Sequence, residues 1–106
     1  MNKNFIPQAY AIILYDMGFR EECFDSFLCC NKDGDIQDNI LLPTWQQAFE
    51  WFRTEYSLDN ACMKDRFMVE RNGKFPGYYK ADSYEDAKQK CLIKLIKIVS
   101  NGKFNR

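Results

Sequence analysis

The 106-residue chain contains no histidine. That absence removes the commonest general base, the usual activator of a serine or cysteine nucleophile, and the commonest metal ligand. A Ser-His or Cys-His catalytic pair is excluded, and zinc would have to be held by cysteine alone. The spacing of Cys23, Cys29 and Cys30 is not the close paired arrangement of a structural zinc site, and Cys62 and Cys91 stand alone. Glycine is scarce and scattered singly, so no glycine-rich loop can cradle a phosphate. No run approaches the ~18 apolar residues that a membrane span requires. The first residues lack the apolar region of a secretory leader. With an odd number of cysteines, this predicts reduced thiols in a cytosol. The thiols read as small buried hydrophobes, with Cys91 on the apolar stripe of a helix and Cys29 and Cys30 in a strand.

Two further features that could carry chemistry fail on inspection. Residues Asn31 to Asp38 superficially resemble a calcium loop. Their glycine, Gly34, comes two positions too early, and Leu42 stands where the closing glutamate is required. An acidic hairpin turn is the better reading. The paired carboxylates Glu21-Glu22 and Glu85-Asp86 fall at helix ends, where solvation or capping explains them. The sequence therefore reads as a non-enzyme that needs no cofactor and no metal.

What is present is a core. Hydrophobic residues make up 46% and aromatic residues 16% of the chain, enough for one domain spanning 1–106 without disulfides. The clearest element starts in Leu42-Pro43-Thr44-Trp45-Gln46-Gln47. Pro43 ends the preceding segment, Thr44 can cap free amides, and Gln47 can complete a capping box. The helix runs from Thr44 to Tyr56, with Trp45, Ala48, Phe49, Phe52 and Tyr56 on one stripe. Trp51 lies off that stripe, which suggests either a contact residue or a cover for the core edge.

A first helix is expected over Pro7 to Met17, with Pro7 at the first position and Gly18-Phe19 forming a Schellman-type stop. Tyr10, Ile13, Leu14 and Met17 form one stripe, while Ala11, Ile12 and Tyr15 lie nearly opposite. A helix that is apolar all round is either sandwiched or covered by another chain. A last helix starts at Ser83, a good N-cap, and runs to about Ser100, where Asn101-Gly102 stops it. Its stripe is Tyr84, Ala87, Cys91, Leu95 and Ile98, widened by Leu92 and Val99. Between the helices lie two hairpin-like segments. One runs over Phe24 to Gln37 and turns at Asn31 to Gly34. The other takes Ala61 to Arg71 as a strand, turns at Asn72-Gly73 and returns over Tyr78 to Lys80. The order is α-β-β-α-β-β-α, an α+β fold with three helices on a small antiparallel sheet.

Charge is unevenly spread although the net is zero. Residues 1–59 hold 4 basic and 10 acidic side chains, a net of −6; residues 60–106 hold 11 basic and 5 acidic, a net of +6. The asymmetry fits either a polyanion-binding end or two halves that attract each other, within one chain or between chains. Lys90, Lys94, Lys97, Lys103 and Arg106, with Tyr78, Tyr79 and Phe104 nearby, are the candidates for a nucleic-acid surface. The isoelectric point near 6.2 favours a solvated lysine face instead.

The blocks Leu42 to Arg53, Ser83 to Lys88 with Leu92 to Val99, and Ala9 to Phe19 resemble a set of small uncharacterised proteins of bacteriophages and integrated mobile elements of gut anaerobes. Those carry a P-T-x-x-x-A-x-x-W-F-R helix, a strand pair and a T/S-Y-E-E-A helix; the present chain has Ser83-Tyr84-Glu85-Asp86-Ala87 there. The resemblance implies a bacterial cytosolic or virion setting and assigns no functional residue. The reading that follows is a non-enzymatic protein-interaction domain that binds a protein, or itself, through Ala11, Ile12, Tyr15 or Trp51. The alternatives are a nucleic-acid-binding accessory protein using the basic C-terminal helix and a minor virion component.

Overall fold

The computed structural model of the chain describes residues 4–30 and 36–101. It is an α+β fold with three helices and two small antiparallel sheets. In chain order these are α1 (Gln8–Met17), β1 (Asp25–Cys30), β2 (Ile36–Leu42), α2 (Trp45–Tyr56), β3 (Leu58–Cys62), β4 (Arg66–Arg71), β5 (Tyr79–Lys80) and α3 (Tyr84–Ser100). The expected order α-β-β-α-β-β-α stands, with a third short strand in the second β segment. The chain divides into two compact units, Met1–Ala48 and Phe49–Arg106, with the boundary inside α2. The expected turn at Asn31 to Gly34 lies outside the described residues.

Unit 1 is built on local stop signals. Gly18 takes a left-handed φ of 110° just past α1. The Phe19 amide donates to the Leu14 carbonyl (2.9 Å) and the Gly18 amide to the Tyr15 carbonyl (3.1 Å), the two bonds of a Schellman motif. β1 and β2 pair antiparallel, with Phe27 opposite Ile40 and Leu28 opposite Asn39. Alternation along the strands puts Phe27, Ile40 and Leu42 on one face and Ser26, Leu28, Asn39 and Leu41 on the other. Ile6, Leu14, Phe19, Ile40 and Pro43 are buried.

The capping box that opens α2 is reciprocal. The Gln47 amide donates to Thr44 Oγ1 (3.1 Å), and the Thr44 amide donates to Gln47 Oε1 (2.9 Å). Gln47 Nε2 also donates to the Glu22 carbonyl (2.9 Å), tying the loop before β1 to the start of the helix. α2 ends against Ser57, which takes a φ of 55° and hands the chain directly to β3.

In unit 2, β4 is the middle strand, paired with β3 on one side and β5 on the other. The segment expected as one strand over Ala61 to Arg71 is two strands. It reverses tightly at Lys64-Asp65, where the Met63 amide donates to the Arg66 carbonyl (2.8 Å). No residue there has a positive φ, so neither glycine nor asparagine marked the turn. The Asn72-Gly73 turn is as expected: φ is 52° and 78°, and Arg71 and Lys74 exchange amide–carbonyl bonds. The chain leaves the ladder after Lys74 and returns only for Tyr79-Lys80, where the Phe67 and Tyr79 rings stack at 5.1 Å. α3 is capped by Ser83, whose Oγ accepts the Asp86 amide (3.0 Å). It buries Ala87, Cys91, Leu92 and Leu95 and packs on β3 and β4.

Candidate functional site

α1 is rotated from the stripe read in its sequence: Leu14 of that stripe is buried, but Ile13 is not. Ala11, placed on the outward face, is 1% exposed and Leu14 is buried beside it; Ile13, placed on the inward stripe, is 38% exposed. Ile12 and Tyr15 are half-buried. With apolar residues on both sides, the helix itself does not select a face. The buried Ile6 before it and Phe19 after it set which side faces inward. Tyr15 is covered in part by Arg20, whose guanidinium sits 3.6 Å from the ring centroid and donates to the Tyr15 and Phe19 carbonyls (2.7 Å each).

Trp51 is 6% exposed. It makes edge contacts with Phe52 (5.3 Å) and Tyr56 (5.4 Å). Of its two readings, the core-covering one describes its place, and like Ala11 it offers almost no surface.

The exposed apolar surface of unit 1 lies elsewhere. Phe24 is 92% exposed and Leu28 58% exposed. Both flank or occupy β1, which pairs with β2 on one side; among the described residues no strand lies on its other side. Around them sit Glu21, Glu22 and Asp25, none within ion-pair distance of a cation among the described residues. Sequence reading missed this edge because an exposed Phe beside a strand carries no periodicity signal.

The basic flank of α3 is largely engaged by its own neighbours. Lys90 Nζ lies 3.0 Å from Asp86 Oδ2, and that hydrogen bond raises the lysine's pKa. The Asp82 amide (2.9 Å) and Lys90 together hold the Asp86 carboxyl below the usual range. Lys94 Nζ sits 5.2 Å from the Tyr79 ring centroid, and Lys97 is exposed. Lys103 and Arg106 lie outside the described residues. Arg66 lies over Tyr78 (4.9 Å) and the buried Lys88 over Tyr84 (4.7 Å), with Lys88 Nζ 3.2 Å from Glu85 Oε1.

A second cluster joins β3 to α3. Cys62, half-buried at the end of β3, has its sulfur 3.7 Å from Asn60 Nδ2, which donates to it, and 4.0 Å from the Ala87 carbonyl. Ala87 is one turn before Cys91 on the same helical face, and the Cys62 and Cys91 thiols shift each other's pKa. The donated Cys91 bond lowers the Cys62 pKa against its burial; Asn60 and the Lys88 charge act in the same direction. Cys91, hydrogen-bonded to Cys62 and fully buried, is pushed far up. Asn60 turns its donor toward the sulfur and leaves its own Oδ1 buried and unpartnered. An unmade bond of that kind costs about 1–3 kcal/mol. Cys23, by contrast, is raised by burial and by Glu21. Among the described residues no three His, Cys, Asp or Glu side chains are grouped to hold a metal, and no helix is long and apolar enough to cross a membrane.

No protein family, curated protein or solved structure matches this chain.

Proposed function

We propose that the chain is a non-enzymatic protein-interaction module of bacteriophage or mobile-element origin, working in a bacterial cytosol. Its partner is another protein that lays an extended segment along the open edge of β1. The observation that carries this reading is Phe24, 92% exposed beside an edge strand whose Leu28 is also exposed. Open strand edges are templates for strand addition, in which main-chain bonds give affinity and alternate side chains give specificity. Covering one such aromatic side chain contributes about 1.5–3 kcal/mol.

The charges define the partner further. Glu21, Glu22 and Asp25 favour a segment with basic flanks. The same carboxylates set a second copy of this chain, docked edge to edge, against itself. Ile12, Ile13 and Tyr15 of α1 supply a further apolar patch in the same unit.

The test is affinity capture from bacterial lysate, with and without nuclease, using the native chain and a Phe24→Asp/Leu28→Asp double variant. The expected result is a discrete protein retained after nuclease and lost with the double variant. A catch that vanishes with nuclease transfers the function to the basic residues of unit 2. There a recess of about 520 Å³ lined by Arg71, Asn72, Lys74, Phe75 and Pro76 is the place to look. A protein catch that the double variant leaves unchanged removes β1 as the docking edge.

A further inference from the structure

We infer that Cys62 and Cys91 form an oxidisable dithiol, with Cys62 as the attacking sulfur, Cys91 as the resolving sulfur, and a hydroperoxide as the oxidant. Four observations meet at one place. Cys62 is solvent-accessible and Cys91 is not. The Cys62 sulfur lies over the α3 turn that carries Cys91. The Asn60 amide points a donor at that sulfur while its own oxygen stays unpartnered in the protein. The Lys88 ammonium, ion-paired with Glu85, stands one residue past Ala87 on the same helix and adds a small effect of the same sign. A buried polar group left unsatisfied beside a thiol calls for an explanation, and a redox role supplies one.

The chemistry balances. The Cys62 sulfur, as thiolate, attacks the outer oxygen of the hydroperoxide and the O–O bond breaks. The departing alkoxide or hydroxide takes up the proton that Cys62 released, leaving Cys62 as a sulfenic acid. The Cys91 sulfur then attacks the Cys62 sulfur. An S–S bond forms, the S–O bond breaks, and hydroxide leaves with the Cys91 proton as water. Two thiols and one hydroperoxide give one disulfide, one alcohol or water, and one further water. A dithiol reductant reverses the change by exchange. Closing the bond brings the sulfurs to about 2.05 Å. It links β3 to α3 within unit 2 and leaves the β1 edge in the other unit unaltered in sequence.

The test uses the full native chain. Reduced protein is treated with stoichiometric hydrogen peroxide, quenched by alkylation, and mapped by non-reducing peptide mass spectrometry. The expected product is a peptide pair linking Cys62 and Cys91, lighter by two hydrogens and restored by dithiothreitol. Before oxidation, Cys62 is expected to alkylate on the order of tenfold faster than Cys23 at neutral pH. In Cys91→Ala, oxidation is expected to stop at a Cys62 sulfenic acid that a dimedone probe captures. That variant only removes a sulfur from a buried site, and the native-chain mapping stands without it. Linkage through Cys23, Cys29 or Cys30 instead, or over-oxidation of Cys62 with no Cys62–Cys91 pair, overturns the inference.

Discussion

The two units treat their charged and apolar surface in opposite ways. Unit 1, residues 1–48, has 3 basic and 7 acidic side chains, a net of −4; unit 2, residues 49–106, has 12 and 8, a net of +4. Unit 2 carries ion pairs of Glu50 and Asp59 with Arg53, Asp65 with Arg66, Glu85 with Lys88, and Asp86 with Lys90. Unit 2's exposed Tyr78 and Tyr84 have cations of the same unit over their rings. Phe24 in unit 1 is almost wholly in water. Exposure by itself is therefore a poor guide to a docking surface. What separates Phe24 from Tyr78 and Tyr84 is whether the exposed ring has already found a cation within its own unit.

The largest test of that contrast sets one phenylalanine against another. Phe52 in unit 2 is fully buried, so Phe52→Ala is expected to cost about 3–5 kcal/mol in denaturant unfolding. Phe24→Ala in unit 1 is expected to move stability by no more than about 0.5 kcal/mol while weakening partner capture. A large stability loss from Phe24→Ala would show that this side chain serves the fold, and the contrast would collapse.

A middle-sized test uses the two ends of α2, one in each unit. Thr44→Ala removes the capping box and is expected to cost about 1 kcal/mol. Ser57→Gly relieves a left-handed backbone that disfavours a side chain. It is expected to stabilise by roughly 0.5–1 kcal/mol, the relief exceeding glycine's added chain entropy. Thermal unfolding of the two variants should shift in opposite directions.

The smallest effect concerns unit 2's paired acids. The Arg53 hydrogen bond, with the Asn60 amide, holds the Asp59 carboxyl below its ordinary range. A carboxyl depressed in the folded state stabilises the fold above its unfolded value of about 3.9. That contribution fades as pH falls through the depressed value. Both side chains are about half exposed, so the pair contributes no more than about 0.5–1 kcal/mol. Asp59→Asn should lower stability slightly at neutral pH and converge with the native chain in acid. A parallel offset at every pH would deny the pair its role.

What was legible in the sequence was local. The Thr44–Gln47 box, the Gly18-Phe19 stop, the Asn72-Gly73 turn and the Ser83 cap each need only a few neighbouring residues, and all are present. The break at Lys64-Asp65 was not legible, because a turn without positive φ leaves no compositional mark. Nor was the orientation of α1, since Ala11 and Ile13 are both apolar and only the burial of Ile6 and Phe19 distinguishes their faces. Trp51 was ambiguous for the same reason: an off-stripe position says nothing about what else reaches it. The Cys62–Cys91 pair required knowing that β3 packs on α3, a contact between segments far apart in the chain.

The most direct measurement is site-specific photocrosslinking in bacterial lysate, with a photoreactive phenylalanine analogue placed at position 24 in one protein and at position 84 in another. A discrete protein adduct is expected from position 24 in unit 1 and none from position 84, although Tyr84 is also half exposed. Adducts from position 84 alone, or from neither position, would contradict a docking edge at β1.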